Sequence, residues 1–101
     1  MTNDYYVYIL KCADDSYYTG VTNNLERRII EHQDGLIPNC YTHNRRPITC
    51  VYSQHYTDIN QAIISEKQIK GWSRKKKEAL VKGDYTEIVR LSNVHASTSS
   101  A

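Results

Sequence analysis

An α+β fold, a small three-stranded antiparallel sheet flanked by helices in the order β-β-α-β-α-α, is predicted by three features of this 101-residue sequence. Residues 5–12, 17–22 and 48–56 are short runs rich in Tyr, Val, Ile and Thr, types that suit a pleated, half-buried surface. Three further stretches carry helix caps and stops at compatible spacing. The length leaves room for one domain, read here as residues 1–92, and 40% hydrophobic with 24% charged residues is the balance of a chain that buries a core. Two strands, a helix, a third strand and then helices alone is an α+β order.

Each element follows from local chemistry. Residues 5–12 form the first strand, Asp14-Asp15-Ser16 a turn, and residues 17–22 the strand that closes an antiparallel hairpin. Asn23 with Glu26 three positions on makes a capping-box pattern for a helix over about 24–34, which Gly35 stops. Gly35 to Pro47 is a long connection for so small a domain, a length at which loops are commonly functional or disordered. Ile48 to Tyr56 reads as the third strand. Asp58 with Gln61 caps a second helix running to Gly71, and Ser73 opens a third that stops at Gly83. Residues 84–92 can add a short element, and 93–101, mostly Ser, Thr and Ala, are expected to be a disordered tail. No apolar run approaches a membrane span and the opening Met1-Thr2-Asn3-Asp4 is unlike a signal region, so a soluble protein of the cytoplasm or nucleoid is expected, without a membrane partner. Cys12, Cys40 and Cys50, odd in number and without a Cys-x-x-Cys pair, support neither a disulfide framework nor a four-cysteine zinc site.

The formal charge of +2 conceals a segregation: residues 1–39 carry a net −3, residues 40–82 a net +6 and residues 83–101 a net −1. A localised positive field attracts polyanions, nucleic acid first among them, although a charge run can equally be a solvated face. Arg74-Lys75-Lys76-Lys77 stands in the first turn of the helix that Ser73 opens, where the macrodipole disfavours cations and a bound phosphate would relieve the conflict. Arg45-Arg46, in the long loop with Tyr41, Thr42 and His43, is a second patch able to grip a phosphate backbone, and Lys70 adds to the cationic segment.

Several residues break their local pattern. Glu66 falls in the middle of the apolar stripe set by Ile59, Ala62 and Ile63, and a carboxylate there needs a cation, a hydrogen-bond network or a metal. A structural pair with Arg28 or a lysine would satisfy it equally well. Arg28 and His32, four apart, share one side of the first helix with Leu25 and Ile29. Guanidinium and imidazole together suit an anionic ligand. Nine Tyr, one Trp and no Phe mean that every large ring carries a polar tip. Period-two alternation puts Tyr6, Tyr8 and Leu10 on one face, and a three-residue turn sets Tyr18 opposite Leu10 and Gly20 opposite Tyr8, making Tyr8 and Tyr18 diagonal neighbours. Glycine inside a strand marks close approach of another group, here a candidate ligand over the sheet, with stacked core tyrosines as the structural alternative.

Taken in order, these residues resemble the GIY-YIG nuclease family, small single-domain branch, and are similar to the catalytic domain of structure-specific resolvase-type nucleases. Tyr6-Val7-Tyr8 stands in the place of the first motif and Tyr18-Thr19-Gly20 in that of the second. The helix with Leu25-Glu26-Arg27-Arg28 and His32 follows, then Arg45-Arg46-Pro47, Glu66 and Ile69-Lys70-Gly71-Trp72-Ser73. The resemblance covers about residues 5–82. It implies a metal-dependent endonuclease acting on DNA rather than RNA, structure-directed rather than sequence-specific unless a protein partner supplies specificity, with a place in DNA repair. By the same resemblance Tyr8 and Tyr18 are the motif tyrosines, one helping to deprotonate water, and Arg28 binds and polarises the scissile phosphate. His32 assists proton transfer, and Glu66 holds one divalent cation, Mg or alternatively Mn. Tyr6, Val7 and Thr19 depart from the motif names, and Trp72-Ser73 stands where many members place an asparagine. A nucleic-acid-binding module or adaptor that keeps the fold without turnover is the alternative.

Overall fold

The computed structural model describes residues 3–100, with side chains as far as 92. Seven elements follow in the order β1 (Tyr5–Lys11), β2 (Tyr17–Thr22), α1 (Leu25–Gln33), β3 (Thr49–Tyr56), α2 (Ile59–Lys70), α3 (Arg74–Lys82) and α4 (Tyr85–Ser100). The sheet is three-stranded, antiparallel throughout and ordered β2-β1-β3, which makes the fold α+β as the element order implies. Contacts gather into two compact units that divide between Lys70 and Gly71. The first holds the sheet with α1 and α2; the second holds α3 and α4.

The hairpin is closed by residues 13–15. Asp15 amide bonds the Cys12 carbonyl at 3.0 Å and Cys12 amide bonds the Ser16 carbonyl at 2.8 Å, while Asp15 takes a left-handed φ of 67°, a conformation that aspartate tolerates. The register that results pairs Tyr8 with Gly20 and Leu10 with Tyr18. Between β1 and β3 the pairing steps from Ile9↔Tyr52 to Leu10↔Cys50, leaving Val51 as an extra residue, a β-bulge. Alternation along the central strand gives two buried faces. Val7, Ile9 and Leu10 are wholly inaccessible and Tyr8 nearly so, each worth roughly 1.5–3 kcal/mol in burial for a side chain of that kind. The core on the Tyr8 face gathers Tyr8, Leu10, Cys12 and Ile48, with Tyr18, Leu25, Ile29 and Cys50 packed against it. Tyr56, which pairs with Tyr5, donates its hydroxyl to Ser65 of α2 at 2.7 Å, so α2 covers the opposite face, that of Tyr5, Val7 and Ile9.

The helix ends correct one expectation. Asn24, not Asn23, caps α1: its Oδ1 accepts the Arg27 amide at 3.1 Å, and Thr22 Oγ1 accepts the Asn24 amide at 3.1 Å, so the hairpin's own last residue carries the turn one position further. Gly35 follows the C-terminal end with φ 69°. Ser73 caps α3 through the Lys76 amide, and Gly83, at φ 73°, ends it. Asp84 accepts the Glu87 amide at 3.1 Å and opens α4, which runs further than the short element expected over 84–92. The tail expected at 93–101 lies outside the residues whose side chains are described.

Candidate active site

β1, β2, α1 and the loop after α1 deliver a cluster of polar side chains to the Tyr8 face of the sheet. Tyr8 sits on the central strand, 1% exposed, and its hydroxyl meets Nε2 of His32 at 3.0 Å. His32, also 1% exposed, stands on the inner side of α1, and its Nδ1 is 2.7 Å from Oγ1 of the buried Thr42. Thr42 donates in turn to Cys40 Sγ at 3.5 Å. The Tyr18 ring lies 6.3 Å from that of Tyr8 and 5.1 Å from the His32 imidazole, and it stacks on Tyr41 at 6.3 Å. Arg28, one turn before His32, lies beside the Tyr8 hydroxyl and donates to Glu31 at 3.2 Å.

Gly20 explains how so large a ring fits. A Cβ on Gly20 would fall 2.5 Å from the Tyr8 hydroxyl oxygen and 2.6 Å from Cζ. The close approach expected over this glycine is therefore made by Tyr8 itself, across the pair that the register sets, and not by a ligand.

Burial is the main electrostatic influence on the cluster. It pushes the Tyr8 phenol above its ordinary value, against the opposing pull of Arg28, and pushes Tyr18 higher still. Neither ring is a phenolate at neutral pH. Burial, followed by the positive charge of Arg28, holds His32 below the usual imidazole range, so the ring is neutral. For Arg28 itself, burial opposes the charge, but the Tyr8 hydroxyl and Glu31 outweigh it and the guanidinium stays firmly cationic. Cys40 is the exception among the thiols. Burial raises it, yet the hydroxyl and amide of Thr42, the Tyr18 hydroxyl and the Arg28 charge overcome that and lower it, whereas burial keeps Cys12 and Cys50 high.

Tyr8, Tyr18, Arg28 and His32 are thus brought together, while Glu66 stands apart from them on α2, which covers the opposite face of the sheet. It is 8% exposed on the buried stripe of α2 with Ala62 and Ile69, and its Oε2 pairs with Lys70 at 2.7 Å. The lysine pair is the structural reading of that carboxylate, and Lys70 is its partner rather than a free cation. Among the described residues no group of three or more His, Cys, Asp or Glu side chains is placed to hold a metal. A lone buried carboxylate with one oxygen in an ion pair does not make a closed metal cage. It does suit magnesium, which keeps several waters and needs only one or two protein carboxylates beside a substrate phosphate.

The loop arginines are engaged with the loop. Arg45 lies over the Tyr41 ring at 3.8 Å and donates to Asp14 at 3.1 Å and to the Tyr41 carbonyl at 2.7 Å. Arg46 donates to the His43 carbonyl at 3.0 Å, its guanidinium resting where a Cβ on Gly35 would sit. The Gln33 side chain bonds both backbone groups of Ile48, at 2.9 and 3.1 Å, and ties the start of β3 to α1. Those contacts hold Thr42 under His32. In the second unit Arg74 pairs with Glu78 at 3.3 Å and Lys76 lies over the Trp72 ring at 4.2 Å. Lys75 is exposed, and Lys77 is half-buried. Thr42 and Cys40 are residues that the sequence does not assign to this site: Thr42 is visible there only as a neighbour of the arginine pair, and Cys40 only by a metal-like spacing to His43 that lacks the second pair a zinc site needs.

Residues 4–79 match the family model of the GIY-YIG catalytic domain. The chain belongs to the GIY-YIG family. It is 44% identical to a UPF0213 protein of Natronomonas pharaonis over 80% of this chain and 94% of that one, and 36% identical to the UPF0213 protein YazA of Bacillus subtilis over 79% and 80%. Among solved structures it resembles the solution structure of the UPF0213 protein BH0048 from Bacillus halodurans, at 40% identity and TM-score 0.52 over 78% of this chain and 83% of that one. The protein EF2693 of E. faecalis matches at 31% identity and TM-score 0.57, over 85% and 93%. In this GIY-YIG chain Tyr8 and Tyr18 both stand against His32.

Proposed function

We propose that this GIY-YIG protein is a metal-dependent endonuclease that hydrolyses phosphodiester bonds in DNA, selecting its substrate by structure more than by sequence. The observation that supports this best is the hydrogen bond between a buried tyrosine and a neutral histidine beside a half-buried arginine. Arg28 is a fixed cation with donors for a phosphate oxygen and for the charge that builds on it. Tyr8, as a phenol of raised pKa, cannot serve as a base by itself; it can pass a proton. As the water oxygen bonds to phosphorus, its proton goes to Tyr8 Oη and the Tyr8 proton goes to His32 Nε2. The phosphorus–oxygen bond to the leaving sugar breaks, and that oxygen takes a proton from solvent. Tyr18 closes the cluster beside both rings. Glu66 would hold one divalent ion, magnesium or manganese, which supplies Lewis-acid stabilisation of the phosphate when bound. Arg74, Lys75, Lys76 and Lys77, with Arg45 and Arg46, are of the types that grip phosphates without reading bases.

The test is a cleavage screen over branched, flapped, single-stranded and duplex DNA, with RNA counterparts, in magnesium and in chelator. Magnesium-dependent cleavage of a branched or flapped DNA, lost in Glu66→Gln while its unfolding curve stays close to wild type, is the expected result. Binding without cleavage of any substrate would favour the non-catalytic module.

A further inference from the structure

The loop after α1 places a second hydroxyl under the histidine, on the side away from Tyr8. Thr42 is 1% exposed, and its Oγ1 stands 2.7 Å from His32 Nδ1 and 3.5 Å from Cys40 Sγ. A threonine hydroxyl has one proton and two lone pairs, so once it donates to the sulfur it can only accept from the ring. Nδ1 must then carry the imidazole proton. The other end of the chain of bonds accommodates that arrangement: with Nδ1 protonated, Nε2 is bare and can accept from the Tyr8 hydroxyl 3.0 Å away. The count at Thr42 and the contact with Tyr8 are both met by one tautomer.

We propose that Thr42 is a positioning residue that holds His32 as the Nδ1–H tautomer, with Nε2 open to receive the Tyr8 proton. A directed relay results, running Tyr8 to His32 with Thr42 and Cys40 behind it. The imidazole otherwise interconverts between two tautomers, and the one protonated at Nε2 offers Tyr8 a second donor and no acceptor. The groups that face the ring are Tyr8 from β1, Tyr18 from β2, Arg28 and Glu31 from its own helix, and Cys40 and Thr42 from the loop. Of these only Thr42 contacts Nδ1 at full hydrogen-bond strength, since Cys40 Sγ is 3.9 Å away. The kinetic consequence rests on the nuclease reading above; the tautomer does not.

Nitrogen NMR of the imidazole at pH 8, with His32 assigned by difference against His32→Gln, separates the two. The wild type is expected to show a protonated Nδ1 and an unprotonated Nε2. Thr42→Val, which keeps the shape and removes the hydroxyl, should lose that preference, and Thr42→Ser should restore it. A wild-type ring protonated at Nε2 overturns the proposal without any variant, and so does an unchanged spectrum in Thr42→Val. If the wild type cleaves DNA, Thr42→Val should lower kcat on the order of 10- to 100-fold with KM little changed, and Thr42→Ser should recover most of it. A spectrum that shifts as expected in a protein that cleaves nothing sustains the Thr42 assignment and removes only the nuclease reading. A shifted spectrum with unchanged kcat overturns the relay.

Discussion

Gly20→Ala tests the geometry of the site without altering any group that does chemistry. The new methyl would stand 2.5 Å from the Tyr8 oxygen and 2.6 Å from Cζ, against the roughly 3.5 Å at which carbon atoms pack comfortably. Either the ring or the β2 backbone must give by about 1 Å. The backbone is held by its ladder to β1, and Tyr8 is buried with little room to swing. Overpacking of this kind costs about 1–3 kcal/mol, which most small domains survive. The Tyr8–His32 bond is 3.0 Å long, so a shift near 1 Å breaks or re-aims it. Misplacement on that scale is worth about 100-fold in rate. Urea unfolding and single-turnover cleavage should therefore show a folded, modestly destabilised protein with activity reduced about 100-fold. The double variant Gly20→Ala/Tyr8→Phe should cleave no more slowly than Tyr8→Phe alone, because both act through one hydroxyl. Wild-type cleavage by a folded Gly20→Ala, or fully additive losses in the double variant, would refute this account of the site.

Two further predictions follow from the electrostatics. His32 has its folded pKa below the unfolded value near 6.5, so the unfolded chain takes up the proton first; its contribution to stability is complete above about pH 6.5 and is lost as pH falls below it. Urea midpoints at pH 7.5 and 5 should fall further for the wild type than for His32→Gln, a comparison in which the lowered carboxyls of Asp14 and Glu87 contribute equally to both proteins; equal falls would show that the ring is not held neutral. Cys40, alone among the three thiols in being lowered, should react first with iodoacetamide at pH 8, and peptide mapping should find it alkylated ahead of Cys12 and Cys50. Labelling of Cys50 before Cys40 would contradict the hydrogen bonds assigned to its sulfur.

Strands, hairpin register and the Arg28/His32 face were legible in the sequence because each depends on local periodicity. Two-residue alternation and a three-residue turn are enough to bring Gly20 opposite Tyr8, and 100° per residue is enough to set His32 inside α1. What fills the space over Gly20 was not legible, since a glycine in a strand signals close approach without naming the group. The cap of α1 was misplaced by one residue because Asn23 and Asn24 are both good caps, and the choice is made by the Thr22 hydroxyl. The long loop was the real blind spot. Its length marked it as functional and its arginines as candidates for phosphate, but nothing local said that Arg45 and Arg46 also bond Asp14 and nearby backbone carbonyls. The arginines shape the loop, Gln33 ties its far end to α1, and the residue delivered to the histidine is a threonine of no special sequence character. A motif fixes the groups that touch the reacting atoms, but the group that orients them can come from any segment long enough to reach, and in this chain that segment is the one with no regular structure of its own.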